Sequence, residues 1–413
     1  MKTFCDPNGD PRPPVTLLLT TFVLWVWRRF EKMPLCFLGL KNVKRVLDEI
    51  GQLLVIGLSG PRLMKEERVF IRRVAPGGVI YFRRNVKSPT QLRSLARSVW
   101  SLFPKDRPPF IGIDQEGGRV ARLGPPFTLF PGNDYLGRIY RKTKSLSLIQ
   151  AQAQAMAKEL KAIGVNLNFT PVADIDTNPR NPVIGPRAFG KNPKDVARLV
   201  ATTVKAYKKE RVICCAKHFP GHGDTSKDSH KVLPIVRASR PTLFRRELLP
   251  FESAVRAGVP TIMTAHVVYP SLDRALPATL SKFILDRLLR RKLHFDGVAI
   301  SDDLEMNAIV LHSSISEAAL NAIRAGVDLL LVCKSLSEAR QVHLDLSKAV
   351  LWGQVSVNRI AEALNRIRKV KKRYLSGGPG LSLTSVPRNG WRKHQKLAEV
   401  IKEKGKQELL VSA

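Results

Sequence analysis

Residues 212–230 read Val212-Ile-Cys-Cys-Ala-Lys-His-Phe-Pro-Gly-His-Gly-Asp-Thr-Ser-Lys-Asp-Ser-His230, and this stretch decides how the fold is interpreted. Its first five residues are apolar and predict a buried strand. Gly221 and Gly223 then allow the backbone to turn sharply and to approach a ligand closely. A buried strand that ends in a loop rich in Gly, His and Asp is typical of the active-site mouth of an α/β barrel. A solvated polar loop is the simpler interpretation, but it needs neither the Phe-Pro step nor so many titratable groups.

Short apolar runs alternate with helix-like segments along the chain. The predicted strands are 53–58, 77–82, 109–114, 165–172, 212–216, 261–266, 297–300 and 328–333. The predicted helices are 63–74, 89–104, 146–162, 193–210, 241–257, 281–292, 315–325, 336–351 and 356–375. This alternation requires a parallel sheet, and eight repeats over roughly 330 residues favour a single (β/α)8 TIM barrel. An open doubly wound sheet is the alternative.

The predicted barrel spans 49–375, with short extensions on both sides. The N-terminal extension, 1–48, contains an apolar stretch at 15–27 that is followed by Arg28 and Arg29. This stretch is shorter than the roughly 20 residues that a membrane span needs. We interpret it as a membrane-surface anchor or as sequence upstream of a true start at Met33. The C-terminal extension, 376–413, begins Gly/Pro-rich and continues as a basic, helix-like tail.

The composition is strongly basic. The chain has 69 Lys and Arg against 34 Asp and Glu, which gives a net charge of +35. Such a surface favours anionic partners, for example nucleic acid, acidic lipid or polyanionic wall fragments, or is simply a solvated basic face. No nucleic-acid motif accompanies the charge, so no specific nucleic acid is expected. Cys214, Cys215 and Cys333 lie in apolar runs, which predicts buried free thiols in a reducing compartment.

Polar clusters follow several of the predicted strands. If the fold is a barrel, these clusters lie together at the carboxyl ends of the strands, where barrel enzymes carry their chemistry. One cluster would be weak evidence, whereas five in matching positions are hard to explain by solvation. They are 114–122, 174–190, 217–230, His266 and 301–306.

Asp302 follows the buried run 298–300. A carboxylate there is held rigidly at the mouth of the barrel, which suits a nucleophile that must be ionised and aimed at one carbon. A structural carboxylate that caps the next helix is the alternative for Asp302. For the neighbouring Asp303, capping or support of Asp302 is the preferred role.

His230 lies two residues after Asp228, and the pair predicts a dyad. The carboxylate fixes the imidazole ring, and the histidine shuttles protons near neutral pH. Asp114, with Arg122 and Arg187, is suited to clamp a hydroxylated or anionic ligand, since Arg makes planar bidentate contacts. Structural ion pairs are the alternative for both arginines.

A zinc site is the competing interpretation of the central stretch. His218, His222, Asp224 and His230 are possible ligands, and a catalytic zinc takes three such ligands. Their spacing matches no helix-borne metal pair, and Lys217 beside His218 opposes a cation. We therefore expect neither a metal nor another cofactor.

At this point the chain resembles a known family. The motif 217–230 resembles that of the NagZ-type β-N-acetylhexosaminidases of glycoside hydrolase family 3. Segments 114–119, 187–190 and 301–306 agree with the same family and occur in its order along the chain. The resemblance covers roughly residues 50–375. It implies a metal-free TIM barrel that acts by two displacements with retention.

The resemblance also implies roles for particular residues. Asp302 is then the nucleophile, and His230, paired with Asp228, is the general acid/base. A histidine in this role departs from the usual pair of carboxylates. The remaining matching positions are implied to bind the sugar; they are Asp114, Arg122, Arg187, Lys217 and His218.

By the same resemblance, the substrate is a terminal β-linked N-acetylglucosamine on a muropeptide. The expected setting is cell-wall recycling in the cytoplasm, and the protein is expected to be a monomer. Peripheral membrane contact through 15–27 is an additional expectation. Two alternatives stay open. The first is another β-glycosidase or an N-acetylglucosaminide phosphorylase on the same barrel. The second is a basic, non-catalytic protein that binds wall polymer or nucleic acid.

Overall fold

The computed structural model describes residues 37–378 and 391–410. The chain divides into two compact units, Met1–Val46 and Leu47–Ala413. Of the first unit, the described residues form the beginning of helix α1, Phe37–Glu49. The apolar stretch 15–27 lies outside the described residues. Among the helices within the described ranges, none is long and apolar enough to cross a membrane.

Eight parallel strands of the second unit close into a barrel. In chain order they are β1 Leu54–Gly57, β2 Gly78–Tyr81, β3 Phe110–Ile113, β4 Leu167–Asn168, β5 Ile213–Phe219, β6 Thr261–Thr264, β7 Val298–Asp303 and β8 Leu329–Val332. Each strand pairs with its neighbours in sequence, and β1 pairs with β8. In that closing pair, Val55 lies opposite Leu331. The predicted (β/α)8 TIM barrel is therefore confirmed.

Helices connect the strands on the outside. They are α2 Lys65–Val74, α3 Pro89–Trp100, α4 Asn133–Thr143, α5 Ser147–Ala162, α6 Pro193–Glu210, α7 Arg240–Arg245, α8 Leu248–Arg256, α9 Phe283–Lys292, α10 Asn307–Val310, α11 Ile315–Ala325, α12 Leu336–Leu351, α13 Val357–Leu375 and α14 Arg392–Leu410. Two short hairpins, 115–121 and 268–277, extend from the barrel.

Local capping fixes several helix starts. The Asn192 side chain accepts from the amides of Lys194 and Asp195 at the start of α6, where Pro193 is the first helical residue. Ser314, Ser335 and Ser356 cap three later helices in the same manner. Such caps satisfy backbone donors that the first helical turn leaves free. The predicted starts of α6, α11 and α12 are correct to the residue for this reason, and their predicted ends agree with the structure as well.

Several local predictions differ from the structure. Predicted strand 165–172 is limited to Leu167–Asn168, and predicted helix 89–104 ends at Trp100. Helix α4 was not predicted. The predicted helix 241–257 is interrupted at Arg246, whose guanidinium pairs with Asp224 of the loop after β5. Strand β5 continues to Phe219, beyond its apolar part, because neighbouring backbone pairs with it as far as the amide of Ala265.

The barrel interior is filled by apolar side chains from all eight strands. Its core includes Val55, Ile80, Phe110, Leu167, Phe169, Ile213, Cys215, Met263, Ile300 and Leu331. Cys214, Cys215 and Cys333 are buried and unpaired, as predicted. A packed interior leaves chemistry only at the ends of the strands.

Helix α14 of the C-terminal extension packs against α4 and α5. Just before it, the Trp391 ring stacks on Phe127 with centroids 4.9 Å apart. His394 Nδ1 lies 2.8 Å from the carboxylate of Glu159 in α5. The proposed domain boundary at 375/376 remains a prediction.

Candidate active site

Four of the predicted site residues lie at the carboxyl ends of three strands. Asp114 follows β3, Lys217 and His218 end β5, and Asp302 is the penultimate residue of β7. Because the strands of a closed parallel barrel end at a common mouth, these side chains share one site.

A network of charged groups, which we call the carboxylate–cation network, lines this mouth. Lys217 Nζ lies 2.7 Å from Asp114 Oδ1 and 2.6 Å from Glu116 Oε1. The Arg187 guanidinium donates two hydrogen bonds to Glu116, of 2.9 and 2.8 Å. Arg122 Nη2 donates to Asp114 Oδ2 at 3.2 Å. Three cations therefore face two carboxylates, and the network keeps one positive charge in excess.

Burial makes these charges interdependent. Burial by itself raises the pKa of Asp114, but Lys217 and Arg122 outweigh it and lower that pKa below the ordinary value. For Lys217, burial lowers the pKa, but Asp114 and Glu116 raise it above the usual range. The pKa of Glu116 falls well below its usual range because Arg187 and Lys217 overcome the cost of burial. All three groups are thus charged at neutral pH and hold one another in place.

His218 is oriented by a buried aspartate. Its Nδ1 lies 2.7 Å from Asp174 Oδ2, and Asp174 also accepts from the amides of His218 and His222. Since a carboxylate only accepts, Nδ1 carries the proton when His218 is neutral. Nε2 is then left as the ring atom available to a ligand.

Asp302 is a carboxylate held by its own strand. Among the described residues, its only hydrogen bond comes from the Asp303 amide, 2.8 Å from Oδ1. Burial raises the pKa of Asp302, but the His266 and His218 rings, the Asp303 amide and Lys217 together lower it below the ordinary value. The group is therefore ionised and retains free lone pairs, as a nucleophile requires.

His266 supports the end of β7 from the neighbouring strand. Its Nε2 lies 3.1 Å from the Asp303 carbonyl oxygen, which only accepts, so Nε2 carries the proton. Its Nδ1 lies 2.8 Å from the hydroxyl of Thr279. Burial lowers the pKa of His266 and favours the neutral ring. The Asp303 carboxylate accepts from the Glu305 amide at 3.2 Å, and burial raises its pKa to about 7.

Asp228 and His230 form a pair on the exposed loop after β5. His230 Nδ1 lies 2.8 Å from Asp228 Oδ1, and the His230 amide donates to the same oxygen at 2.8 Å. The His230 side chain is 65% exposed. Burial raises the pKa of Asp228, but the His230 amide and ring outweigh it and lower that pKa. Asp228 therefore fixes the ring through Nδ1 and leaves Nε2 free.

Two further groups anchor this loop. His222 Nδ1 lies 3.0 Å from the Thr225 hydroxyl, and its Nε2 lies 3.0 Å from the Ser229 hydroxyl. Burial lowers the pKa of His222 to about 4, so its ring is neutral at physiological pH. The second anchor is Arg246, which lies 2.8 Å from Asp224 Oδ2.

Each of the possible zinc ligands forms contacts with a different partner. His218 pairs with Asp174, His222 with two hydroxyls, and Asp224 with Arg246. In the ranges 37–378 and 391–410, no three His, Cys, Asp or Glu side chains are grouped as metal ligands.

Three side chains at the mouth were not predicted individually from the sequence; they are Glu116, Asp174 and His266. Glu116 lies two residues beyond Asp114, a spacing that places both side chains on one side of an extended segment. Asp174 and His266 both lie in polar clusters after predicted strands. Their position after a predicted strand was the signal available in the sequence. That position did not show which side chains each of them would contact.

The mouth of this barrel carries the Asp302 carboxylate and the carboxylate–cation network, and the loop after β5 carries the Asp228–His230 pair. Residues 45–370 match the profile of the glycosyl hydrolase family 3 N terminal domain. The chain belongs to this family, in its NagZ-type β-N-acetylhexosaminidase group.

Similar proteins differ in how much of their length the chain covers. Beta-hexosaminidase A from Pseudoalteromonas piscicida is 35% identical over 337 residues, which are 76% of this chain and 56% of that protein. Beta-hexosaminidase from Methylococcus capsulatus is 39% identical over 312 residues, which are 75% of this chain and 91% of that protein. The chain thus spans little more than half of the first relative and most of the second.

Two solved structures are also similar to this chain, and they too differ in how much of their length it covers. A family 3 β-N-acetylglucosaminidase from Paenibacillus is similar with a TM-score of 0.83 and 38% identity, over 87% of this chain and 68% of that one. NagZ from Neisseria gonorrhoeae, in complex with N-trifluoroacetyl-D-glucosamine, has a TM-score of 0.72 and 32% identity. This match covers 86% of the present chain and 97% of NagZ.

Proposed function

We propose that this chain releases terminal β-linked N-acetylglucosamine from peptidoglycan fragments, as part of cell-wall recycling in the cytoplasm. The observation that carries the proposal is the contrast between two acidic groups, one at the end of β7 and one on the loop after β5. Asp302 is ionised and has only a backbone hydrogen bond among the described residues, whereas Asp228 is bound to His230. One is free to attack, and the other serves a proton carrier.

The first displacement forms a glycosyl–enzyme ester. Asp302 attacks the anomeric carbon while the bond from that carbon to the leaving oxygen breaks. Protonated His230 donates the Nε2 proton to that oxygen, and Asp228 stabilises the ring through Nδ1. The aglycone then departs as a neutral alcohol.

The second displacement hydrolyses the ester. Neutral His230 accepts a proton from water, the water oxygen attacks the anomeric carbon, and the Asp302 carboxylate is released. Two inversions give a β-configured product, as in other retaining glycosidases. His218 and the carboxylate–cation network are suited to bind the sugar hydroxyls, since they present buried, fixed donors and acceptors.

The peptidoglycan assignment is supported by charge. Peptidoglycan fragments carry lactyl and peptide carboxylates, and a chain with a net charge of +35 attracts such anions. The salt dependence of kcat/KM is therefore expected to be steeper for an anionic fragment than for a neutral glycoside.

The test uses the p-nitrophenyl β-glycoside of N-acetylglucosamine and a chitobiose-type disaccharide. Asp302→Ala is expected to lower kcat by about 10³-fold or more on both substrates. His230→Ala is expected to lower kcat on the disaccharide by about 10²-fold or more, and less on nitrophenolate, which leaves without protonation. Exposed Asp296 and His312 provide matched controls as Asp296→Ala and His312→Ala.

Two further readouts test the mechanism itself. Proton NMR of early product is expected to show the β-anomer, before mutarotation. A slowly hydrolysed 5-fluoro glycosyl donor is expected to leave a sugar adduct on the peptide that contains Asp302. Absence of turnover by folded wild-type protein would refute the glycosidase proposal, and an adduct on another residue would refute the nucleophile assignment.

A further inference from the structure

The end of the barrel opposite to the mouth carries a basic surface that has no role in the mechanism above. In a (β/α)8 barrel the helices run antiparallel to the strands, so a helix that precedes a strand ends where that strand begins. The last turns of these helices carry a set of lysines and arginines, which are Arg72, Arg73, Arg97, Lys161, Lys208, Lys209, Arg256, Arg290, Arg291, Lys292 and Arg324. We call this end of the barrel the basal face.

Helix α13 crosses the basal face. Lys371 Nζ donates to the carbonyl oxygen of Gly77, the residue before β2, at 2.8 Å. Near the end of the helix, the Arg373 carbonyl oxygen accepts from Arg211, two residues before β5, at 3.0 Å. The apolar side of α13 packs against the barrel interior through Ile367, Val370, Tyr374 and Leu375. The opposite side of the helix therefore faces away from the barrel.

This outward side of α13 is a stripe of positive charge. Four exposed cations lie on it, namely Arg368, Lys369, Lys372 and Arg373. Arg368 pairs with Glu49 at 2.6 Å, and Lys369 pairs with Asp296 at 3.4 Å. Within the described ranges, no carboxylate pairs with Lys372 or Arg373. Half of the stripe is therefore uncompensated charge.

Helix dipoles explain only a part of the basal charge. The dipole favours cations at a helix C-terminus, and the effect falls off within the last turn. It accounts for single cations such as Arg97 at the end of α3. It does not account for Arg368 and Lys369, which lie about two turns before the end of α13. The stripe therefore points to an anionic partner outside the chain.

The loop between α12 and α13 adds apolar groups to the same face. Arg324, at the end of α11, donates to the Gln354 carbonyl oxygen at 3.1 Å, which places the loop at the basal end. Trp352 is 65% exposed, the highest value for a large apolar side chain in the described part of the protein, and Leu351 is 41% exposed. Tryptophan is highly buried on average. An exposed Trp-Leu pair on a basic face is typical of a surface that contacts both headgroups and acyl chains.

We propose that the basal face binds the surface of a bilayer that contains anionic phospholipid. The cations attract the headgroups, and Trp352 and Leu351 enter the boundary between headgroups and acyl chains, where tryptophan rings are favoured. A nucleic acid matches the charge but gives Leu351 no role. Because the two ends of a barrel are opposite, this contact leaves the mouth open to water. The inference goes beyond the proposed function and does not depend on it.

The experiment measures how much of the full chain sediments with lipid vesicles. One set of vesicles is phosphatidylcholine alone, and the other contains phosphatidylcholine and phosphatidylglycerol in equal parts. The wild type is expected to partition onto the mixed vesicles and only weakly onto phosphatidylcholine. Added salt is expected to weaken the binding, because it screens the charges.

The first variant tests the stripe by combining Lys372→Gln with Arg373→Gln. Each lysine or arginine near an anionic bilayer contributes roughly fivefold to partitioning, so the double variant is expected to bind about 25-fold more weakly. The matched control combines Arg62→Gln with Lys65→Gln. These residues are exposed between β1 and the first turn of α2, on the mouth side. The control removes the same charge and is expected to stay within about twofold of wild type, since distant charges are screened.

The second variant tests the apolar contact. Trp352→Ala is expected to lower partitioning onto the mixed vesicles about tenfold, because the ring no longer leaves water. Its control is Leu311→Ala, since Leu311 is 61% exposed but follows α10 on the mouth side. Brominated lipid gives a direct readout of position. It is expected to quench the tryptophan fluorescence of the wild type more than that of Trp352→Phe.

The controls decide the outcome, and circular-dichroism melts verify that each variant is folded. Equal partitioning of the basal variants and their controls would overturn the proposal. Binding through the stretch 15–27 alone would give this result, because every variant would then match the wild type. A single-stranded RNA oligonucleotide tests the other anionic partner. Loss of RNA binding in the Lys372/Arg373 variant, with vesicle binding unchanged, would assign the basal face to nucleic acid and overturn the membrane proposal.

Discussion

Glu116→Gln tests whether the carboxylate–cation network is held together by charge. Glu116 is buried and accepts from two cations, Lys217 and Arg187. Glutamine keeps the size of the side chain but removes the negative charge, and its amide group places N–H donors opposite other donors. Lys217 retains Asp114, whereas Arg187 retains only the Val183 carbonyl oxygen, 3.2 Å from Nη1.

The expected magnitude follows from burial. Removing one partner of a buried ion pair typically costs 3–5 kcal/mol, because the other charge stays buried without compensation. We expect about 3 kcal/mol here, since Lys217 keeps one carboxylate. With about 2.1 cal/mol/K per residue over roughly 330 barrel residues, the entropy of unfolding is about 0.7 kcal/mol/K. The melting temperature is therefore expected to fall by about 4 °C.

The pH dependence provides a second readout. The pKa of Glu116 is depressed in the folded protein, so its contribution to stability is fully present above the unfolded pKa of about 4.3. That contribution is lost as the pH falls below this value toward the folded pKa. The gap in the free energy of unfolding between wild type and Glu116→Gln is thus expected to be constant from pH 7 to 5 and to narrow below about pH 4.

Urea unfolding and thermal melts measure this gap, with Glu403→Gln as the control. Glu403 is exposed on α14, and the same substitution there is expected to change stability by less than about 0.5 kcal/mol. A Glu116→Gln protein as stable as the control at pH 7 would refute the reasoning. A gap that persists unchanged at pH 3 would show that the lost interaction is packing and not charge.

Two other predictions concern the loop that carries His230. Burial lowers the pKa of His222 to about 4, so protonation of the unfolded chain is expected to remove about 3 kcal/mol of stability as the pH falls from 6.5 to 4. In urea titrations, His222→Gln should weaken the dependence of the free energy of unfolding on pH, whereas exposed His312→Gln should not. An equal pH dependence in both variants would contradict the lowered pKa of His222. Arg246→Ala should lower kcat at least about fivefold by releasing Asp224. The control is exposed Arg245→Ala, whose kcat should match that of the wild type. If kcat of Arg246→Ala equals that of the control, Arg246 does not anchor the loop.

The barrel was predictable because its signals are local. Apolar runs and capping residues such as Asn192 and Ser335 lie within a few residues of the elements that they define. Helix α4 was missed although it buries Leu136, Ile139 and Tyr140 at helical spacing. The break at Arg246 was missed because its partner Asp224 is distant in sequence.

The same distinction separates the parts of the site. The proximity of His230 to Asp228 was predictable, since only Ser229 separates them and the contact closes within one turn of the loop. Glu116 was not assigned, because its importance depends on Lys217 and Arg187, which lie on other strands and loops. A sequence shows that a carboxylate follows a strand, but which cations face it depends on how the barrel closes.

This arrangement places rigidity and exposure where the proposed chemistry needs them. Asp302 must be aimed at one carbon, and it lies on a barrel strand supported by His266 through the Asp303 carbonyl oxygen. His230 must exchange protons with leaving groups of different shape and with water, and it lies exposed on a loop. That loop is anchored on both sides of Asp228, by Arg246 and by the Ser229 hydroxyl. A substitution that stiffens the loop without touching His230 should therefore affect bulky aglycones more than small ones, whereas a substitution under β7 should affect both alike.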